Sequence, residues 1–411
     1  MKKIISNIIV TVLVAIIFLS PGFAQLPQLE LSKNERIADF NYLFEELEKS
    51  YPYFHINERV NGVDWLGSKK EYLEKIEATE NDKEFFIALT YILNELNNDH
   101  TDTYPTIIYD YFHQAYQGAV SQDSSYMPYL EELNKTDSSK CKYWELIHAD
   151  ILSEKQMKNE VSKDIEMEEF TKQNVLVSFE DSLSTAIMTI GSFSYDLINE
   201  DKNKLKSFIE TAFDYDNIII DIQGNSGGDT DYWMNNIVPY LIEEEISFPL
   251  NYAFKNSDRI KYFKPSYFTE TIDLIDFNFP KLPEEIKTKD YLLRQTEIII
   301  SPNPEGRLYK GNIFLLVDKE VYSSAETLAY FCKSTGFATI VGQKTSGDGV
   351  GTDPLLLTLP NSGIVIRFTG ELGLNPDGSA NEEAKTIPDL KIEAHDSHER
   401  LRKLLEYIDG S

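Results

Sequence analysis

Two buried-strand signals, each running into a helix start, constrain this chain more than any other feature. Asn217–Ile222 (NIIIDI) leads into Gln223-Gly224-Asn225-Ser226-Gly227-Gly228. Asn312–Asp318 (NIFLLVD) leads toward Ser323-Ser324-Ala325-Glu326, which opens a helix to about Ser334. Both are near-continuous apolar runs, the mark of strands covered on both faces. Around them, from residue 173 on, strand and helix signals alternate. Ala186–Gly191 reads as a strand, Asp201–Phe213 and Asp231–Leu241 as helices, and Thr339–Val341, Leu355–Leu359 and Ile364–Phe368 as short strands. A helix over His398–Tyr407 closes the chain, and residues 245–310 read as an insertion with strand-like edges. Alternation of this kind predicts an α/β layer.

The first third reads as helical. Ile37, Phe40, Phe44 and Leu47 share one face of a helix over 34–50. A second helix fits 69–78, and a third runs from Asp82, a plausible N-cap, to Asn97 and ends in Asn98-Asp99-His100-Thr101. Residues 105–180 are acidic and tyrosine-rich (Tyr109, Tyr116, Tyr126, Tyr129) with weak periodicity, and read as an irregular helical insertion. Such a segment is either a lid over a substrate chain or a piece that packs its aromatics on the core. At the N-terminus, Lys2 and Lys3 precede the apolar run Ile8–Leu19, which is short for a membrane span, and then Pro21-Gly22-Phe23-Ala24. This is the pattern of a signal peptide over 1–24, with Gln25 as the first mature residue; the alternative is a retained anchor. The expected division is therefore 1–24 signal peptide, 25–104 helical region, 105–180 insertion and 181–411 core.

The net charge of −29 and the 68 acidic residues exclude a phosphate-backbone partner, which needs clustered Lys and Arg. They disfavour an anionic membrane surface in the same way. No nucleic acid and no stable membrane insertion after signal cleavage are expected. Cys141 and Cys332 either form one disulfide or remain separate thiols, and two cysteines alone make no structural zinc site. The oxygen-rich run Asp377–Glu383 lacks the full calcium-loop pattern and reads as a solvated turn.

The two junctions carry the chemistry. Gly227 and Gly228 let the backbone take positive φ and approach a ligand, with N–H groups free to face an oxyanion, or else they only shape a turn. Ser323 is either a helix N-cap, completed by Glu326 as a capping box, or a nucleophile held between strand and helix with the Ser324 N–H beside the attacked carbonyl.

Together these segments resemble the tail-specific (C-terminal processing) serine peptidase family, which includes the tricorn core protease. Asp221–Gly228 matches its D-x-R-x-N-x-G-G motif with Gln223 in place of Arg, and Ser323–Glu326 matches its S-A-S-E motif. Gly342–Gly347 is similar to G-E-x-T-x-G, and Leu96–Thr101 to the family's L-x-D-x-H-T helix end. The resemblance spans most of 35–104 and 180–392. It implies a crotonase/ClpP-like α/β core behind a helical region, a serine peptidase with a peptide or protein substrate, and no cofactor. Many members carry a PDZ module, but 105–180 lacks its glycine-rich loop.

One departure bears on mechanism. Where processing peptidases of the Ser/Lys type place their Lys, this chain has Asp348; Lys344 lies earlier. The tricorn-like branch uses a His from the helical region and a Glu near a P-D motif. The resemblance therefore implies Ser323 as nucleophile, His100 as base and Glu382 as its orienting carboxylate, with Glu383 the nearest substitute. Histidine is the side chain suited to proton transfer near neutrality. Gly227 or Gly228, with Ser324, would supply the oxyanion hole. Alone, His100 would read as a helix C-terminal histidine, and the other five histidines read as ordinary. Two competitors stand beside this reading. One is an α/β-hydrolase with Ser226 in a G-x-S-x-G elbow and His395 or His398 as base. The other is a silent ligand-binding member of the same fold. The sequence does not reveal the oligomeric state.

Overall fold

A computed structural model describes residues 30–103, 106–159, 173–272 and 279–410. The expected signal peptide over 1–24 lies outside the described residues. The chain divides into two units. The first contains the N-terminal part to Glu169 with Lys255–Thr269 and Asp353–Gly370; the second contains the rest.

The first unit is mostly helical: α1 (Lys33–Ser50), α2 (Phe54–Asn61), α3 (Lys69–Glu77), α4 (Asp82–Asn94), α5 (Thr106–Val120), α6 (Met127–Leu133) and α7 (Ser138–Asn159). Ser32 starts α1 through a capping box with Glu35, so its first orphan N–H groups are satisfied. Phe40, Leu43, Phe44 and Leu47 then form a buried stripe, and Trp65 stacks on Phe44 at 4.7 Å. The N-cap of α4 is Asn81, not Asp82: the Asn81 side chain accepts the Glu84 N–H at 2.9 Å. Asp82 is drawn instead into tertiary bonds from the Leu31 N–H (3.0 Å) and the Tyr143 hydroxyl (2.7 Å). The tyrosine-rich segment forms regular helices, because its aromatics find one another. Tyr116 and Tyr129 stack at 4.9 Å, and Tyr109 is buried as well. Buried Asp39 on α1 accepts N–H bonds from Asn361 and Ser362, at the turn between the antiparallel strands Leu355–Thr358 and Val365–Phe368.

The second unit carries a six-stranded sheet: β1 (Val175–Glu180), β2 (Thr185–Ile190), β3 (Asn217–Asp221), β4 (Asn312–Val317), β5 (Thr339–Gly342) and β6 (Leu390–Lys391). The spatial order is β6-β5-β4-β3-β2-β1, parallel except for β1, which pairs antiparallel with β2. β3 is buried at every residue, as its unbroken apolar run requires. Helices α8 (Leu197–Ala212), α9 (Asp231–Asn236), α10 (Ser324–Thr335), α11 (Asn381–Ala384) and α12 (Ser397–Asp409) complete the unit. On one face of the sheet, Ile187, Ile219, Phe314, Leu316 and Val341 pack with Leu404 of α12. The span 245–310 contains two ten-residue strands, Ile246–Lys255 and Tyr291–Ile300, which join Glu371–Leu374 in a separate three-stranded sheet. No PDZ module is evident among the described residues. Cys141 and Cys332 are both buried thiols, so the separate-thiol alternative holds.

Candidate active site

In the parallel sheet of the second unit, β3 and β4 are neighbours, and both loops at their C-terminal ends turn toward the start of α10. This is the edge at which open parallel sheets place ligands. The loop after β3 is built by side-chain bonds. Asn225, fully buried, donates to the Ile190 carbonyl at 3.1 Å and accepts the Gly227 N–H at 2.9 Å. Gly224 donates to Asp318 at 3.0 Å, which ties this loop to the end of β4. Gln223, where the family motif has Arg, accepts a hydrogen bond from buried Arg400 of α12. The guanidinium reaches this position from the far end of the chain.

Gly227 (φ 102°) has to be glycine, because a Cβ there would sit 2.7 Å from Ser323 Cβ and 2.9 Å from the Ser324 nitrogen. Its own N–H is committed to Asn225, and its carbonyl accepts the Phe193 N–H at 3.0 Å. The Gly228 N–H, in contrast, meets no acceptor among the described residues, and Gly228 is exposed.

Ser323 occupies φ 56°, ψ −128°, a region that L-residues rarely enter and that costs about 1–3 kcal/mol. Its hydroxyl makes no capping bond to α10, so the capping-box alternative does not form. A capping serine would have extended backbone and bond its own helix; this residue does neither. Its backbone is held instead by its neighbours. The Ser323 N–H donates to the Gly347 carbonyl at 3.4 Å, and its carbonyl accepts the Thr327 N–H at 2.9 Å. A Cβ on Gly349 would lie 2.5 Å from the Ser323 carbonyl oxygen. Ser324 begins α10, so its N–H is one of the helix's unpaired donors at the positive end of the dipole.

The other Ser-centred reading fails on backbone shape. Ser226 is exposed, does not have positive φ, and lies in the loop before α9 rather than on a strained turn into a helix. Before it the first unit is mostly helical, and only β1, β2 and β3 of the main sheet precede Ser226.

Asp348, at the position of the family's Lys, is buried at φ 50° and accepts a hydrogen bond from the Tyr322 hydroxyl at 2.9 Å. Lys344 is exposed and directs its ammonium to the Glu383 carbonyl at 3.4 Å. Glu382, on α11, lies against the loop that holds Ser323: its Oε2 would be 3.2 Å from a Cβ on Gly347. His100 belongs to the first unit. It follows α4 by several residues and sits at the tip of a turn closed by the Thr101 N–H to the Asn98 carbonyl (3.0 Å) and the Thr101 hydroxyl to Asn98 Oδ1 (2.8 Å). Helix-terminus electrostatics fade within the last turn, so the dipole does not explain a histidine here. In the run Asp377–Glu383 only the first residues form a turn, with Asp377 bonded to Ser379 and paired with Lys281 at 2.8 Å; Asn381–Glu383 lie on α11.

Two buried carboxyl groups flank the junctions. Glu326 lies on the first turn of α10 and is taken up below. Burial pushes Asp221, at the end of β3, up to about 6, with Asp318 adding to the rise and the Gln223 N–H and Arg400 opposing it. A carboxyl raised in the fold stabilises fully below its unfolded pKa, near 4, and loses that contribution as pH rises through about 6. Asp221→Asn keeps the acceptor for the Gln223 N–H and removes the titration. In urea unfolding from pH 4 to 7, the variant should gain on the parent by up to about 3 kcal/mol as pH rises. A pH-independent difference would show that Asp221 does not titrate there.

Comparison with known proteins places this geometry. The family model for peptidase family S41 matches residues 184–392, just over half of the chain, and includes both junctions and Glu382. Among solved structures, a candidate peptidase from Parabacteroides merdae ATCC 43184 is 16% identical with a TM-score of 0.57, and covers 92% of this chain and 98% of that one. Mature CPAF is 14% identical with a TM-score of 0.55, covering 92% of this chain and 96% of that one. At these identities the likeness is one of fold, and it extends over both the helical and the sheet-bearing parts. With the family model matching across the glycine loop and the strained serine, the chain belongs to peptidase family S41 and is a serine peptidase.

Proposed function

We propose that this chain is an exported peptidase that cleaves peptide bonds through an acyl-enzyme on Ser323. The observation that carries the reading is the backbone of Ser323, held at φ 56° against Gly227, with a hydroxyl that does not cap its own helix. Strain of this kind persists where it has a use. In the proposed mechanism His100 takes the Ser323 proton as Oγ attacks the substrate carbonyl. The oxyanion is received by the N–H groups of Gly228 and Ser324, while Gly227 gives the close approach and spends its own N–H on Asn225. The imidazolium then returns the proton to the leaving amine, and water repeats the sequence on the acyl-Ser323 ester. Glu382 orients His100. Asp348, an acid already paired with Tyr322, does not act as the neutral amine base of a Ser/Lys dyad.

The reaction with a p-nitrophenyl ester tests the acyl-enzyme. Acid-quenched protein should carry one acyl group per chain, on the peptide containing Ser323. An acyl group on Ser226, or hydrolysis with no adduct at any quench time, would overturn the proposal. Export rests on the N-terminal pattern of Lys2, Lys3, Ile8–Leu19 and Ala24. Among the described residues, no helix is long and apolar enough to cross a membrane.

A further inference from the structure

Glu326 stands where three pieces of the proposed site meet. It lies on the first turn of α10, one turn after Ser323, and is completely buried. Its Oε1 accepts from Asn381 Nδ2 at 2.8 Å and from the Thr386 hydroxyl at 2.6 Å. Asn381, also completely buried, is the first residue of α11, which carries Glu382, and its Oδ1 accepts the Gly349 N–H at 3.1 Å. Thr386 exchanges bonds with Thr345: its N–H donates to Thr345 Oγ1 at 2.9 Å, and its carbonyl accepts the Thr345 N–H at 3.2 Å. Thr345 and Gly349 bracket Gly347, whose carbonyl holds the Ser323 N–H. The backbone of Gly349 fits against Glu326 and the residue before α10, since a Cβ there would lie 2.5 Å from Glu326 Cβ and 2.5 Å from the Ser323 carbonyl oxygen.

The second carboxyl oxygen decides the chemical state. Oε2 is buried and, among the described residues, meets no donor at hydrogen-bonding geometry. The Thr345 hydroxyl faces the carboxyl but is committed to Thr386. Lys385 acts on it only as a charge at a distance, and among the described residues Glu326 forms no ion pair. A bare carboxylate with one oxygen unpaired is costly to bury, whereas a neutral acid is far less so. Burial accordingly pushes the Glu326 pKa up, against the Thr345, Thr386 and Asn381 side chains. The group therefore serves through its carbonyl-like oxygen, an acceptor for two donors.

We propose that Glu326 is the positioning residue of the site, fixing Ser323, the Gly347 loop and Glu382 in one arrangement by gathering Asn381 and Thr386 onto a single oxygen. The inference rests on the reading of Ser323 as nucleophile. Local helix capping would not need it, because Glu326 makes no bond to the N-cap backbone. A glutamine keeps the accepting oxygen; an alanine removes it and leaves two buried donors unpaired.

The experiment compares the full mature chain with Glu326→Gln, Glu326→Ala and Thr386→Val, reading kcat and KM on a peptide substrate, the fluorophosphonate labelling rate of Ser323, and thermal unfolding. Glu326→Gln should stay within about threefold of the parent in kcat. Glu326→Ala should lose at least about tenfold in kcat and in labelling rate, with KM within about threefold. Thr386→Val, nearly the same shape with one donor removed, should fall between them and remains the test should Glu326→Ala not fold. Glu326→Ala or Thr386→Val folded and as active as the parent would overturn the inference alone. Glu326→Gln as damaged as Glu326→Ala would also overturn it, since charge and not the shared acceptor would then matter. A parent that is active but unlabelled at Ser323 would instead fail the nucleophile reading.

Discussion

Ser323→Ala should abolish peptide cleavage, to the level of the uncatalysed background, and leave the protein folded. The hydroxyl caps no helix, and alanine meets the same backbone strain that serine does, so the stability change should stay within about 0.5–1 kcal/mol. On the proposed mechanism all of the loss then falls on the chemical step, because no acyl-enzyme forms without Oγ. Ser226→Ala should retain most activity, since Ser226 is an exposed loop residue with ordinary backbone. Steady-state cleavage of a fluorogenic peptide, with thermal unfolding as the folding control, separates the two. Survival of Ser323→Ala alongside loss in Ser226→Ala would reverse the assignment.

His100→Ala should lower kcat by about 10² or more, the scale of a lost general base. Lys344→Ala should have a small effect, because its ammonium rests on the Glu383 carbonyl at the surface. A rate indifferent to His100 but lost with Lys344 would show that a displaced Ser/Lys chemistry operates. The buried pairing of Asp348 with Tyr322 argues against that outcome.

The strands that build the site were legible because their burial is written in residue type. β3 and β4 are apolar without interruption, and each ends in residues that only a turn or a helix start tolerates. β1 escaped notice for the opposite reason. It is an edge strand whose apolar Leu176, Val177 and Phe179 stay exposed, so no alternation of buried and polar positions marks it, and it falls inside the span 105–180 read as insertion. The two strands within 245–310 contain Pro249, Asn251, Arg294 and Gln295, which blur their pattern; Gln295 Nε2 donates to Asn251 Oδ1 at 2.9 Å.

At the site, the residue types at the junctions were readable and their states were not. Ser-Ser-Ala-Glu is the same string whether it forms a capping box or a strained turn. The choice is made by Gly227 and Gly349, which crowd Ser323 from distant parts of the chain. For the same reason Glu326 reads locally as a capping partner and is in fact a buried acceptor for Asn381 and Thr386. Gln223 reads as a motif broken at one position, and only the fold brings Arg400 onto it. In each case a short-range pattern was overruled by a long-range contact that no local spacing encodes.

The nucleophile assignment is tested most directly by treating the full chain with a fluorophosphonate and mapping the adduct by peptide mass spectrometry. A single phosphonyl group on Ser323 is expected, lost in Ser323→Ala and retained in Ser226→Ala. An adduct on Ser226, or an active protein that takes no label at Ser323, would contradict the assignment.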